Sequence, residues 1–290
     1  MNYLEVSYIS SACGKNKYEP TDKTILILLA RSNPKLMKRL LIEDEYITIV
    51  DENEKLYDNE LKNIYSEYKK NVTDVTKIED IRHEIIGKLK SNNKDIKDSD
   101  VSKANKFLES SLKKDCGTNN ESSVIKRMRY TKGNNFMHRY NFNDSWEIRG
   151  FHDASIDDVV IEIKTRTKFS NIRKNEYDLY QMFGYLLTMN KTKGKIVQKF
   201  QNYIFDSDEI NDNEFGLIDI SQEYWKTKFE TFKNELSEFF SYVDYIIGDI
   251  ENRFNILDAI KEEDIPIAVL RKNSPRNINH NYEKLIKILF

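Results

Sequence analysis

The stretch Glu147 to Arg166, EIRGFHDASIDDVVIEIKTR, gathers acidic, basic and β-branched residues at spacings that could do chemistry. If Asp157-Asp158 makes a two-residue hairpin turn, Ile156 faces Val159, and each directly opposed pair shares that register. Ser155 then meets Val160, Ala154 meets Ile161, and Asp153 meets Glu162. Two carboxylates are set side by side, with Cβ atoms about 4.5–5.5 Å apart. Opposed like charges destabilise a sheet, the more so among apolar neighbours such as Phe151, Val160, Ile161 and Ile163. A divalent cation between them removes that penalty, and Mg²⁺, a hard ion held by carboxylates, water and phosphate oxygens, suits the donors. Lys164 lies two residues beyond Glu162 and so on the same strand face, placed to orient or deprotonate a water. Against this stands the ordinary reading that a strand with Glu and Lys on one face is a solvated face.

Further residues could join such a site. Gln181 and Tyr185 are four apart on one face of an expected helix, beside a core stripe of Tyr180, Phe183, Leu186 and Leu187. Two basic runs flank the hairpin. One holds Lys164, Arg166, Lys168, Arg173 and Lys174; the other holds Lys126, Arg127, Arg129, Lys132 and Arg139. Runs of this kind are most often solvated loop, but beside a metal they could grip a phosphate backbone.

Taken in order, these residues resemble the PD-(D/E)XK nuclease superfamily, and within it the RecB-type and lambda-exonuclease (YqaJ-like) branch. Gly150-Phe151-His152-Asp153 resembles the G-h-h-D strand, Glu162-Ile163-Lys164 the E-x-K strand, and Gln181 to Tyr185 the Q-x-x-x-Y helix. Gly117-x₃-Glu121 is a looser match to an upstream G-x-x-x-E. The likeness spans about residues 117–205. It implies a restriction-endonuclease-like mixed sheet flanked by helices, and a Mg²⁺- or Mn²⁺-dependent phosphodiesterase. Asp153, Glu162, the Ile163 carbonyl and Glu121 would hold the metal. Lys164 would position the attacking water, with Gln181 and Tyr185 supporting the lysine and the scissile strand. Arg127, Arg129, Arg166, Lys168, Arg173 and Lys174 would contact nucleic acid. RecB-type enzymes often use a histidine upstream of the G-h-h-D strand, for which His138 is the candidate; His152 should point to the opposite face from Asp153. The segment Ser7 to Pro20 weakly resembles the Ser/Gly-containing opening of YqaJ-like enzymes.

The elements that must position these groups form an α/β (α+β) arrangement. Helices are expected from Pro34 to Leu41, Asn59 to Lys70, Ile78 to Leu89, Val101 to Lys113 and Ser122 to Tyr130. Strands follow at Trp146–Ile156 and Val159–Thr165, then a helix at Glu176–Met189 and a strand at Lys195–Phe205. Helices close the chain at Trp225–Phe240, Tyr242–Lys261 and Tyr282–Phe290. The polar stretch from Ser91 to Asp100 suggests a boundary between a mostly helical part, 1–100, and a nuclease core with C-terminal helices, 101–290.

Composition bounds the rest. The 290 residues carry 46 Lys and Arg against 48 Asp and Glu, a net charge of −2, which argues against coating nucleic acid by bulk charge. Cys13 and Cys116 cannot make a disulfide framework or a four-cysteine cluster, which points to a reducing, intracellular setting in cytoplasm or nucleus. No apolar run is long enough to cross a bilayer and no secretory signal is apparent. The leading expectation is a deoxyribonuclease, an exonuclease serving recombination, repair or viral DNA processing. An endonuclease on DNA or RNA is the second reading, and a nuclease-derived nucleic-acid-binding module without turnover the third. A homo-oligomer is compatible with all three.

Overall fold

The computed structural model describes residues 1–43, 52–133, 136–166, 175–205 and 217–261. The expected helix at Tyr282–Phe290 lies outside these residues. The chain opens with a short strand, β1 (Asn2–Glu5), and a short helix of seven residues, α1 (Val6–Ala12), followed by α2 (Thr21–Ser32) and α3 (Pro34–Glu43). Pro34 stands at the first position of α3, where its missing N–H costs nothing and its fixed φ suits the helix. The apolar run Ile25 to Ala30 is wholly buried inside α2, which explains its lack of a polar face. Next come α4 (Glu52–Tyr68), α5 (Ile78–Asn92) and α6 (Asp98–Met128).

The expected pair of helices around Gly117 is one continuous helix of 31 residues. Glycine inside a helix costs about 1 kcal/mol against alanine. Here an unbroken stripe of buried residues at four-residue steps (Ala104, Leu108, Leu112, Cys116, Asn120 and Val124) outweighs that cost. The helix stops where Arg129 turns into the left-handed region at φ 57° and returns its N–H to the Ile125 carbonyl.

The strands are β2 (Thr131–Lys132), β3 (His138–Asn141), β4 (Trp146–Gly150), β5 (Ala154–Ile156) and β6 (Val159–Thr165). After α7 (Glu176–Met189) come β7 (Lys193–Phe200), β8 (Tyr203–Phe205) and β9 (Ile218–Asp219), then α8 (Glu223–Gly248) and α9 (Ile250–Lys261). They make two sheets. One has the order β1-β4-β3, with β1 parallel to β4; the other has the order β2-β5-β6-β7-β8, with β9 also pairing β7. Within the second, β6 and β7 are parallel and joined through α7, while the hairpin partners are antiparallel. The architecture is mixed α/β of the α+β kind, as the element order implied.

Two expected strands prove to be divided. Trp146–Ile156 is split into β4 and β5, which belong to different sheets, because the backbone leaves the ladder over Phe151, His152 and Asp153. Lys195–Phe205 is the hairpin of β7 and β8, turned at Gln201, whose φ is 53°. The two helices expected after Trp225 instead meet at Asp249, with α8 running through Ser241 without a break.

Among the described residues, buried side chains fall into three clusters that do not follow a division at residue 100. Residues Leu4 to Leu40 share one core with Trp146, Ile148, α7 and α8. The helices α4, α5 and α6, between Leu61 and Cys116, bury a second core of their own. A third lies between the end of α6 and the large sheet, built from Val124, Ala154, Ile161, Ile163 and Val197. Trp146 ties the small sheet to α8: its ring stacks on Phe240 at 4.5 Å and its Nε1–H donates to Asp244 at 2.8 Å. Central to the first core is α7, which packs on α1, β3, β4, β6 and β7. Its Gly184 makes the close crossing possible, since a Cβ there would lie 2.5 Å from Ile9 of α1.

Candidate active site

Alternation along β6 decides which side chains can meet. Ile161 and Ile163 pack into the third core beside α6, so Glu162 and Lys164 stand on the other face, toward α7. The hairpin register is the one the turn requires: Ile156 opposite Val159, Ser155 opposite Val160, and Ala154 opposite Ile161. Asp157 occupies the turn in the left-handed conformation, φ 50°, which Asp tolerates better than most residues. One residue before the start of β5, continuing the register, Asp153 comes level with Glu162. Its carboxylate takes the place of the missing strand, with Oδ2 accepting the Ile163 N–H at 2.7 Å. The amide and carbonyl of a strand residue face the same neighbour, so the Ile163 carbonyl also faces the edge that β5 has vacated.

The two carboxyl groups are close enough for one to donate to the other when protonated. Burial, and then the Glu121 carboxylate, push the Asp153 pKa up to about 6. Burial, and then Asp153, push that of Glu162 up to about 8. Glu162 is 2% exposed. Its Oε1 pairs with the Lys164 ammonium at 2.6 Å, while its Oε2 is buried without a hydrogen-bond partner.

Lys164 is held from three sides. Its Nζ donates to Gln181 Oε1 at 2.7 Å, pairs with Glu162, and lies 4.0 Å from Asp178 Oδ1. Burial alone would lower its pKa, but the Glu162 and Asp178 carboxylates reverse the sign and hold it charged. Gln181 in turn donates through Nε2 to the Tyr185 hydroxyl at 3.1 Å. Tyr185 is buried, and burial followed by Glu162 and Asp153 raises its pKa, so it stays a neutral phenol. Gln181 and Tyr185 therefore sit as the spacing implied, one helical turn apart and linked to the lysine.

Glu121 reaches the same place from α6. It lines a cavity of about 430 Å³ together with Asp153, His152, Phe151 and Lys132. Burial, then the Glu162 charge, raises its pKa. His138 and His152 contact each other, Nε2 to Nδ1 at 3.1 Å, and His152 is buried, its pKa lowered by burial and then by His138.

Arg166 needs correction as a nucleic-acid contact. It is 6% exposed, and its guanidinium is spent inside the protein. Nε donates to Gln198 at 2.7 Å, Nη1 to the Tyr177 hydroxyl at 2.9 Å, and Nη2 to Asp178. The residue lashes the end of β6 to β7 and to the first turn of α7. Arg127 and Arg129 are exposed as expected, with Arg127 donating to the Asn202 carbonyl at 3.0 Å. Lys168, Arg173 and Lys174 lie outside the described residues. Phe151 also departs from its expected place among buried neighbours, being 49% exposed.

Two positions that matter were missed in the sequence. Asp178 is fully buried, holds Arg166 and faces Lys164, with Oδ1 left without a hydrogen bond. Its signal was an acid in the first turn of α7, one turn before Gln181, which is easily read as ordinary helix-start preference. Gly133 is the other: its N–H donates to the Asp153 carbonyl at 2.8 Å, and a Cβ there would lie 2.1 Å from the His152 carbonyl oxygen. Nothing about an isolated glycine before a polar loop announces that contact.

Whether these groups could hold a divalent ion is a matter of donors. Among the described residues no cluster of three or more His, Cys, Asp or Glu side chains is gathered as for a metal. The closer set is two carboxylates with a backbone carbonyl edge, Glu121 across the cavity, and an unsatisfied buried oxygen on Glu162. All are oxygens, and a buried carboxylate oxygen without a donor is the environment a hard cation relieves. The residues fit Mg²⁺ or Mn²⁺.

Among the described residues no helix is long and apolar enough to cross a membrane. No family model and no curated protein matches the chain. A solved structure titled "Crystal structure of SSO0001" is similar over 67% of this chain and 88% of that one, with 16% sequence identity and a TM-score of 0.34.

Proposed function

We propose that the chain is a divalent-metal-dependent nuclease of restriction-endonuclease-like fold, related to the RecB-type and YqaJ-like branch, that hydrolyses DNA phosphodiester bonds from strand ends. One observation carries the reading: buried Glu162 and partly buried Asp153 stand side by side, with a charged Lys164 fixed beside them and one Glu162 oxygen unsatisfied. Such a cluster is costly for folding alone and is understandable as a site kept for a cation.

Asp153, Glu162 and the Ile163 carbonyl would hold Mg²⁺ or Mn²⁺, with Glu121 reaching it directly or through water. The ion supplies Lewis acidity toward a phosphoryl oxygen and a supply of hydroxide at neutral pH. The chain's own contribution is charge and position. Lys164, kept protonated by its carboxylate neighbours, orients a water and opposes negative charge developing on the phosphoryl group. Gln181, Tyr185 and Asp178 are positioning residues that fix the ammonium. Exposed Lys126, Arg127, Arg129 and Lys132, near the end of α6, offer phosphate contacts beside the cavity.

The test is direct. End-labelled duplex, single-stranded and closed circular DNA, and RNA, are incubated with the protein in Mg²⁺, Mn²⁺ or EDTA. Metal-dependent release of nucleotides from open ends alone is the expected result. Cleavage of circles would make it an endonuclease, and binding without cleavage of any substrate would leave only a nucleic-acid-binding module.

A further inference from the structure

Phe151 stands between two cavities. On one side lies the cavity of Glu121, Asp153 and Lys132; on the other, one of about 370 Å³ is lined by Tyr185, Met137, Arg149 and Glu5. Both volumes are in the range of small-molecule sites. The ring is half exposed although its neighbours in sequence, Gly150 and His152, are partly or fully buried. It is exposed because the backbone leaves β4 here to cross to the other sheet, which swings the side chain out of the apolar set. Exposed Phe136 (76%) and Met137 precede β3, and the pairing of His138 with Gly150 brings that end of β3 level with Phe151. An apolar ring left in water beside partly buried acids forgoes the stabilisation that burial would give, so its placement calls for something to cover it.

The charges on either side say what that is. In one cavity exposed Lys132 stands beside the Glu121 and Asp153 carboxylates, the proposed holders of the metal. Arg149 lines the other; it shares the Glu147 carboxylate with Arg139, which lies outside the lining, so those three side chains carry a net positive charge, while the lining Glu5 pairs with Arg31 at 2.8 Å. A flat apolar ring with Lys132 in the cavity on one side and Arg149 in the cavity on the other matches a nucleobase between two backbone phosphates. In a duplex both faces of each internal base are already stacked, so only an unpaired base can present a face to the ring.

We propose that Phe151 stacks on a base next to the scissile phosphate, and that this makes the site one for an unpaired strand. The proposal rests on the nuclease reading for its biological sense but is tested without turnover. A single-stranded oligonucleotide carrying one 2-aminopurine is titrated in EDTA with wild-type protein, Phe151→Ala and Phe151→Trp, each checked for fold by circular dichroism. Wild type and Phe151→Trp are expected to quench the base. Phe151→Ala should bind at least about fivefold more weakly, without the quench. Equal quenching by Phe151→Ala, an unquenched base with wild type, or equal quenching of an internal base in a duplex would each overturn the proposal. Quenching by wild type together with no metal-dependent cleavage of any polynucleotide would retire the nuclease reading and leave the stacking residue standing.

Discussion

Asp153 accepts the Ile163 amide at 2.7 Å and thereby ends the β5–β6 ladder with a carboxylate instead of a peptide. A side chain substituting for a strand is poised against the neighbouring acid by backbone geometry, which a change of residue can remove without unravelling the hairpin. Asp153→Asn retains a carbonyl oxygen for the Ile163 amide while losing the charge. Metal-dependent cleavage should fall by about a hundredfold to a thousandfold. The melting temperature of the metal-free protein at pH 8 should stay at or above that of wild type, as differential scanning calorimetry would read.

The pH dependence follows from the raised carboxyl groups. Asp153 and Glu162 have pKa values of about 6 and about 8 in the folded chain, against 3.8 and 4.5 when free. The folded state holds these protons more tightly, so stability is greatest below about pH 4 for these two groups and is lost as pH rises through 6 to 8. The pair titrates together, so two apparent steps shared between the acids are expected. In EDTA the melting temperature of wild type should fall relative to Asp153→Asn between pH 5 and 8. Added Mg²⁺ should reverse the fall, most strongly at the alkaline end, because the ion competes with those protons.

Arg166 separates structure from binding. Replacing it with Ala leaves Asp178 buried without its partner, a change worth about 3–5 kcal/mol. Chemical denaturation should show that loss. Were the residue a phosphate contact, the variant would keep its stability and weaken DNA binding with a shallower salt dependence.

Gly133 is a steric test of the same site. Gly133→Ala places a methyl group against the His152 carbonyl and must shift the Phe151–Asp153 segment. Because the contact is at the edge of β2 and not in a core, the expected loss of stability is small, within about 1–2 kcal/mol. Cleavage should drop by more than tenfold, since a displacement of about 1 Å at a reacting group costs that much or more. Equal activity in the two proteins would show that the segment's position is not critical.

Much of this was readable in the chain. The hairpin register follows from one turn, because a period of two leaves no freedom once Ile156 faces Val159. The Gln181–Tyr185 face follows from helical spacing. What escaped reading has a common cause: it depends on partners distant in sequence. Arg166 looked like a loop cation because Gln198, 32 residues on, and Asp178 could not be known to surround it. The break after Gly150 was hidden because β4 and β5 are both strands, and alternation cannot tell which sheet a strand joins. The continuity of α6 through Gly117 was visible as a four-residue stripe, but Asn120 and Cys116 do not look like core residues until their burial is seen.

The crossing of the chain between its two sheets has a thermal consequence. Asp153 stands on the connection, with β4 anchored to the Trp146 core and β5 to the layer under α6. The acid is aligned with Glu162 only while both layers keep their mutual seating, so gentle warming that loosens one against the other would silence the protein before any helix or strand melts. Activity would then report interlayer slippage earlier than circular dichroism reports unfolding.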